Sequence, residues 1–188
     1  MTPSEIVAQI IGIFAMAFNI LSYQQKKQRT VIVFQLFGTA LFTVNFFMIE
    51  AYMGALLNFI GVIRALVFMH KEKLKADNVF WLIGFLVTYA VAYVLTFTVF
   101  GKPFTMDNAF LELLPIIGMT ATTLAYRSKD AKTTRKLSLI NSPSWLIYNI
   151  ACFSIGAICC EVLSLVSIVV GMLRLDKKEK EATEEKTV

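Results

Sequence analysis

Seven apolar stretches, separated by short polar breaks, make up most of the chain: residues 6–23, 31–49, 51–69, 79–100, 109–126, 137–153 and 155–173. Each is near the roughly 17 to 25 residues that a helix needs to cross a hydrocarbon layer. The second and third stretches nearly touch, as do the sixth and seventh, so each pair reads as a helical hairpin with almost no loop. The pattern predicts an all-α fold, a polytopic membrane protein of seven transmembrane helices with little chain outside the bilayer.

Composition agrees. The 188 residues are 57% hydrophobic and include 16 Phe, with a mean hydropathy of +0.66. A soluble domain of this length could not bury that much apolar surface. Charge then sets the orientation. Sixteen of the 18 Lys and Arg residues fall after the first, third, fifth and seventh stretches. Only Lys102 falls on the other side, and Arg64 lies inside a stretch. Basic residues collect in cytoplasmic loops. Seven spans with the N-terminus outside and the C-terminus cytoplasmic satisfy that rule, whereas an even number breaks it. The net charge of +5 is explained by topology and by anionic lipid headgroups, and nucleic acid is not an expected partner. The opening Met-Thr-Pro-Ser-Glu lacks the basic start of a cleavable signal.

A shift of 103 positions lays the second half of the chain on the first. Leu21-Ser22-Tyr23 falls on Leu124-Ala125-Tyr126, Lys26 on Lys129, Phe42 on Trp145, Gly54 on Ala157, Asn58 on Glu161 and Gly61 on Ser164. The two basic loops coincide, and so do the two tight hairpins. The expected architecture is therefore 3+1+3: two parallel three-helix repeats, 1–70 and 109–175, joined by a linker helix, 79–100, with a charged, solvated tail at 176–188. One linking helix keeps the repeats parallel, related by an axis along the membrane normal.

The candidate chemistry is polar and lies within the spans. Glu161 is the only charged residue between 137 and 173. Ionisable groups in hydrocarbon are costly and mark functional sites by default. Its counterpart Asn58 lies on a helical stripe with Ala51, Gly54, Gly61 and Ala65. Ala157, Glu161, Ser164 and Gly171 form the matching stripe. Small residues let helices approach closely in lipid, so Asn58 and Glu161 are expected to face the bundle interior. Both lie about seven residues from the outer side, or roughly 10 Å deep. Asn45, Asn141, Ser142, Ser144, Tyr148 and Asn149 on the second helices either bond between helices or line a cavity. Arg64 is expected to snorkel to headgroups, with an anion on a solute as the sharper alternative. Glu112 is expected at interfacial water. Pro115 and Pro143 can kink their helices. Cys152, Cys159 and Cys160 read as packing residues, and His70 as an interfacial one. There is no metal-ligand cluster, no nucleophile with a nearby base and no phosphate loop in the sequence. An enzyme, a cofactor and a metal are therefore not expected.

The stretch Glu112-Leu113-Leu114-Pro115-Ile116-Ile117-Gly118, with Leu21-Ser22-Tyr23-Gln24-Gln25-Lys26 and residues 58–64, resembles the YgjV-type bacterial inner membrane proteins over nearly the whole chain. That likeness extends to a wider group with the same 3+1+3 plan: PQ-loop proteins, SWEET sugar transporters and PnuC vitamin transporters. It implies a location in the bacterial inner membrane and facilitated movement of a small polar solute. The SWEET branch places an Asn on the third helix of each repeat and an aromatic on the second. The matching positions here are Asn58 and Glu161, then Phe42 and Trp145. A carboxylate thus replaces one amide, and Tyr23-Gln24 replaces the Pro-Gln pair, which puts sugar in question as the substrate.

The expected function is a facilitator or proton-coupled transporter with a midplane site formed by Asn58, Glu161, Trp145, Phe42, Asn45, Asn141 and Arg64. A non-transporting receptor or adaptor is the other reading, and a solid core would favour it. The expected partners are the lipid bilayer and the solute, and a homo-oligomer is compatible with the sequence. The topology has a direct check. A membrane-impermeant thiol reagent applied to intact cells should label a cysteine placed next to Lys102 and none placed within 127–136. Labelling of both from outside would contradict seven spans.

Overall fold

The polar breaks become helix ends close to where the sequence puts them. The computed structural model describes residues 2–23, 28–128 and 131–173. Among these, seven helices follow one another: α1 (Pro3–Tyr23), α2 (Gln28–Met48), α3 (Tyr52–Met69), α4 (Val79–Thr98), α5 (Met106–Arg127), α6 (Ala131–Ala151) and α7 (Ile155–Gly171). The described residues contain no strand. Gln24, Lys26, Lys27, Lys129 and the tail from Arg174 onward lie outside the described residues. Pro115 and Pro143 sit inside unbroken helices.

Four helices, α1, α3, α4 and α5, are long and apolar enough to cross a membrane. α2 and α7 contribute shorter apolar segments, Val33–Met48 and Ile155–Val170. α6 is less apolar because one of its faces is polar. Ser142, Ser144 and Asn149 are buried on that face, while Ile140, Ile147 and Ile150 stand exposed. The exterior elsewhere is also apolar, with Val87, Val91 and Val94 of α4 and Phe14, Phe37 and Phe59 all exposed. Such a surface matches lipid, and the chain is an all-α polytopic membrane protein.

The helices close into a ring. α1 packs on α2, α2 on α3, α3 on α5, α5 on α6, α6 on α7, and α7 back on α1. α4 stays outside, against α3 and α5. The α1–α7 contact is backbone to backbone, because a methyl group on Gly156 would strike the Gly12 carbonyl and approach Ile13 N to 2.8 Å. Small residues permit this closeness, and in lipid it gives van der Waals contact that no hydrophobic force supplies.

The two tight hairpins are built alike. Glu50 and Phe153 both adopt the left-handed conformation, with φ of 57° and 55°. At the first hairpin Glu50 N donates to Phe47 O and Ala51 N to Phe46 O. At the second, Phe153 N donates to Ile150 O and Ser154 N to Asn149 O. This pair of bonds is the Schellman closure of a helix C-terminus. Every member of one set lies 103 positions from its counterpart in the other. The left-handed conformation costs an L-residue roughly 1–2 kcal/mol, and most for a branched one. Glu50→Val and Phe153→Val should therefore each lower stability by about 1 kcal/mol in denaturant unfolding in detergent, while glycine at either position should not. An unchanged midpoint for both valine variants would exclude this turn geometry.

Candidate functional site

The ring encloses a cavity of about 480 Å³ to which all six of its helices contribute. Six of the seven residues singled out in the sequence line it: Phe42, Asn58, Arg64, Asn141, Trp145 and Glu161. At its deep end lie Phe46, Asn149 and Ala157. It runs from there toward Tyr126, Arg135 and Ile168, close to the ends of helices that carry the basic loops.

The seventh residue, Asn45, is not in the cavity lining, which corrects the expectation. It is fully buried at the opposite end of the bundle, where Asn45 Nδ2 donates to Ala8 O at 2.7 Å. Its Oδ1 accepts from Ser154 Oγ at 2.7 Å. Beside it, Gln9 Nε2 donates to Phe153 O at 2.8 Å and Ile155 N donates to Gln9 Oε1 at 2.9 Å. α1 and α2 thus grip the start of α7. The first backbone N–H groups of a helix have no partner within it, and Ser154 makes no side-chain cap there. Gln9 takes over that role.

A second clasp mirrors the first. Gly54 N, in the first turn of α3, donates to Tyr148 OH at 2.9 Å. Behind Tyr148 stands the buried Glu112 carboxyl, and Lys102 Nζ closes an ion pair on Glu112 Oε1. α5 and α6 here grip the start of α3. Gln9 and Glu112 are 103 positions apart, as are Asn45 and Tyr148. Glu112 is 1% exposed, so it does not reach interfacial water as its place near the outer edge suggested. Sequence reasoning missed Gln9 and the Lys102–Glu112–Tyr148 chain as structural centres. The signal was available, because the same shift that pairs Asn58 with Glu161 pairs Gln9 with Glu112.

Arg64 does not snorkel. It is 6% exposed, and its Nη1 donates to Met119 O at 3.0 Å, Tyr89 OH at 3.1 Å and Thr123 Oγ1 at 3.2 Å. The guanidinium carbon lies 5.3 Å from the centre of the Tyr126 ring. Its Nε is buried without a partner, and no ion pair among the described residues includes it. Neutral groups from α4 and α5 therefore hold the guanidinium inside the bundle.

Glu161 lies beside Ser142, and its Oε2 is buried and unpartnered. Asn58 Nδ2 turns back to Gly54 O on its own helix at 2.9 Å, so the two stripe residues share the cavity without this amide bonding the carboxylate. The Trp145 ring lies over Gly118, where a Cβ would come within 2.7 Å of it. Asn141 Oδ1 accepts from Thr122 Oγ1 at 2.8 Å. Cys160 lines the cavity, and Cys159 is exposed on the outside of α7. His70 is exposed, with its Nδ1 3.1 Å from Leu66 O, as an interfacial residue should be.

Comparison with known proteins now gives the relationship. The profile of the bacterial inner membrane protein family Imp-YgjV matches residues 6–179. The chain belongs to that family. No curated protein matches it, and no solved structure does. Family membership places these apolar helices in a bacterial inner membrane.

The clasps generate a stability prediction. Glu112→Ala removes the partner of Lys102 and the carboxyl behind Tyr148 and should cost about 3 kcal/mol, the scale for breaking a buried pair from one side. Glu112→Gln should cost less than about 1.5 kcal/mol, since an amide already serves at the counterpart position of Gln9. Denaturant unfolding of both variants checks this, and equal losses would refute the equivalence of the clasps.

Proposed function

We propose that this protein moves a small polar solute across the bacterial inner membrane through the six-helix cavity. One observation carries the reading: polar residues from both halves of the chain converge on a cavity of about 480 Å³ inside an apolar ring. That volume lies within the roughly 300–1,000 Å³ typical of small-molecule sites. A bundle that served only as a scaffold has no use for Glu161 and Arg64 at its centre, where charge is costly.

The closed end supports the same reading. Its two clasps are hydrogen bonds between the halves at the N-termini of α3 and α7, reversible contacts, with the Lys102–Glu112 ion pair behind one of them. Opening them would connect the cavity to the far side. With the basic loops cytoplasmic, the cavity faces the cytoplasm in this state and the clasped end faces outward. The likeness to PQ-loop, SWEET and PnuC transporters adds to the argument, since the third-helix pair Asn58 and Glu161 and the second-helix pair Phe42 and Trp145 all border the cavity. A receptor or adaptor would be better served by a packed core.

The test locks the clasp. In protein with the three native cysteines replaced, Asn45→Cys and Ser154→Cys should form a disulfide, because the native side chains touch. Solutes that raise the melting temperature of the purified protein identify its ligands. Uptake of such a ligand into proteoliposomes should stop on oxidation and recover on reduction. Uptake that continues through the locked protein, or a bound ligand that is never taken up, would overturn the transport reading.

A further inference from the structure

The charged groups in the cavity define the ligand more narrowly. Resting on the reading of this cavity as the solute site, we propose that the solute is a small zwitterion. Its carboxylate docks on Arg64, and its cationic group meets Glu161.

The guanidinium is charged at any accessible pH and carries five N–H donors. All of its described hydrogen bonds leave from Nη1 and end on neutral oxygens. Nε is buried and unpartnered. Nε and Nη2 form one edge of the plane, and that edge is the fork that a carboxylate meets with two parallel bonds. The Nη1 bonds and the Tyr126 ring fix the orientation of the plane, so the fork is held in place before any ligand arrives. Arg64 thus carries an edge suited to an anion, and no carboxylate among the described residues is bonded to it.

Glu161 is the complementary half. Its Oε2 is buried with no partner, and it lines the same cavity. The two residues are of opposite type yet form no ion pair with each other. The fold keeps them apart. Arg64 is the counterpart of Ser167, six residues beyond Glu161 along α7, an axial offset of roughly 9 Å. Two buried ionisable groups that do not pair with each other are costly to charge separately. A ligand with a carboxylate at one end and an ammonium at the other satisfies both. A neutral solute satisfies neither, a simple anion meets the charge of Glu161, and a simple cation meets that of Arg64. The aromatic lining from Phe42 and Trp145 suits the methylene chain between the two ends.

The probes are the ω-amino carboxylates from glycine to 6-aminohexanoate, set against dicarboxylates, diamines and diols of the same length. The readout is thermal stabilisation of the purified protein in detergent. The ω-amino carboxylates should stabilise it, the longer members most, and the other three series much less. Arg64→Lys keeps the charge and loses the fork, and should weaken binding roughly 10- to 100-fold. Glu161→Gln should erase the preference for ω-amino carboxylates over the dicarboxylates of equal length, a change of selectivity that a folding defect cannot mimic. Stabilisation by diols or diamines equal to that by the zwitterions would overturn the proposal. So would the absence of stabilisation by any ω-amino carboxylate, or an unchanged preference in Glu161→Gln. Zwitterion binding without uptake would leave this site standing and remove the transport reading. Uptake of a diol, indifferent to both substitutions, would do the opposite.

Discussion

Hydrocarbon offers no hydrogen bonds, so a helix that begins inside a membrane protein must find partners for its first N–H groups within the protein. Most of this structure depends on how α3 and α7 meet that demand. Both begin straight after a hairpin turn too short to provide a cap, and neither has a side-chain cap of its own. Each instead borrows polar groups from the first two helices of the other half: Gln9 and Asn45 for α7, and Tyr148 with Glu112 behind it for α3. The exchange ties the halves together at one end of the ring. It also accounts for the tight turns, since Glu50 and Phe153 must turn left-handed to bring the next helix back within reach.

Fastening the ring at one end leaves its interior free to serve the other. Arg64 is tolerated there because neutral partners, Tyr89 and Thr123, share the cost of its burial, and Glu161 has the polar Ser142 beside it. The result is a cavity bordered by two residues that each keep a buried polar atom without a partner. The clasped end, by contrast, is complete as it stands apart from one oxygen of Glu112 and one of Asn149. Hydrogen-bonded groups thus close one end of the ring, and Arg64 Nε and Glu161 Oε2, buried without partners, belong to residues that border the cavity.

Much of this was legible in the sequence. Helix number and the hairpins follow from apolar run lengths, which the membrane thickness fixes directly. The 103-residue correspondence holds down to individual backbone hydrogen bonds, because a turn's geometry is local and its sequence position is preserved. Side-chain destinations were less legible. Arg64 and Glu112 both lie near span ends, where a linear reading sends long charged side chains to water or headgroups. Both turn inward, because α4 and α5 supply Tyr89 and Thr123 to one, and α6 and the Lys102 loop supply partners to the other. Asn45 looked like a cavity residue for the same reason: its face on α2 was readable, but its neighbour Ser154, 109 positions away, was not.

The central claim is that one ring of helices encloses a water-accessible cavity sealed at the end away from the basic loops. The most direct measurement places a single thiol in it, Ser164→Cys in protein lacking Cys152, Cys159 and Cys160, and times its reaction with a membrane-impermeant reagent from each face. Inverted vesicles, which present the basic loops, should label quickly, and right-side-out vesicles slowly. Equal rates from the two faces, or no reaction from the basic face, would contradict the account.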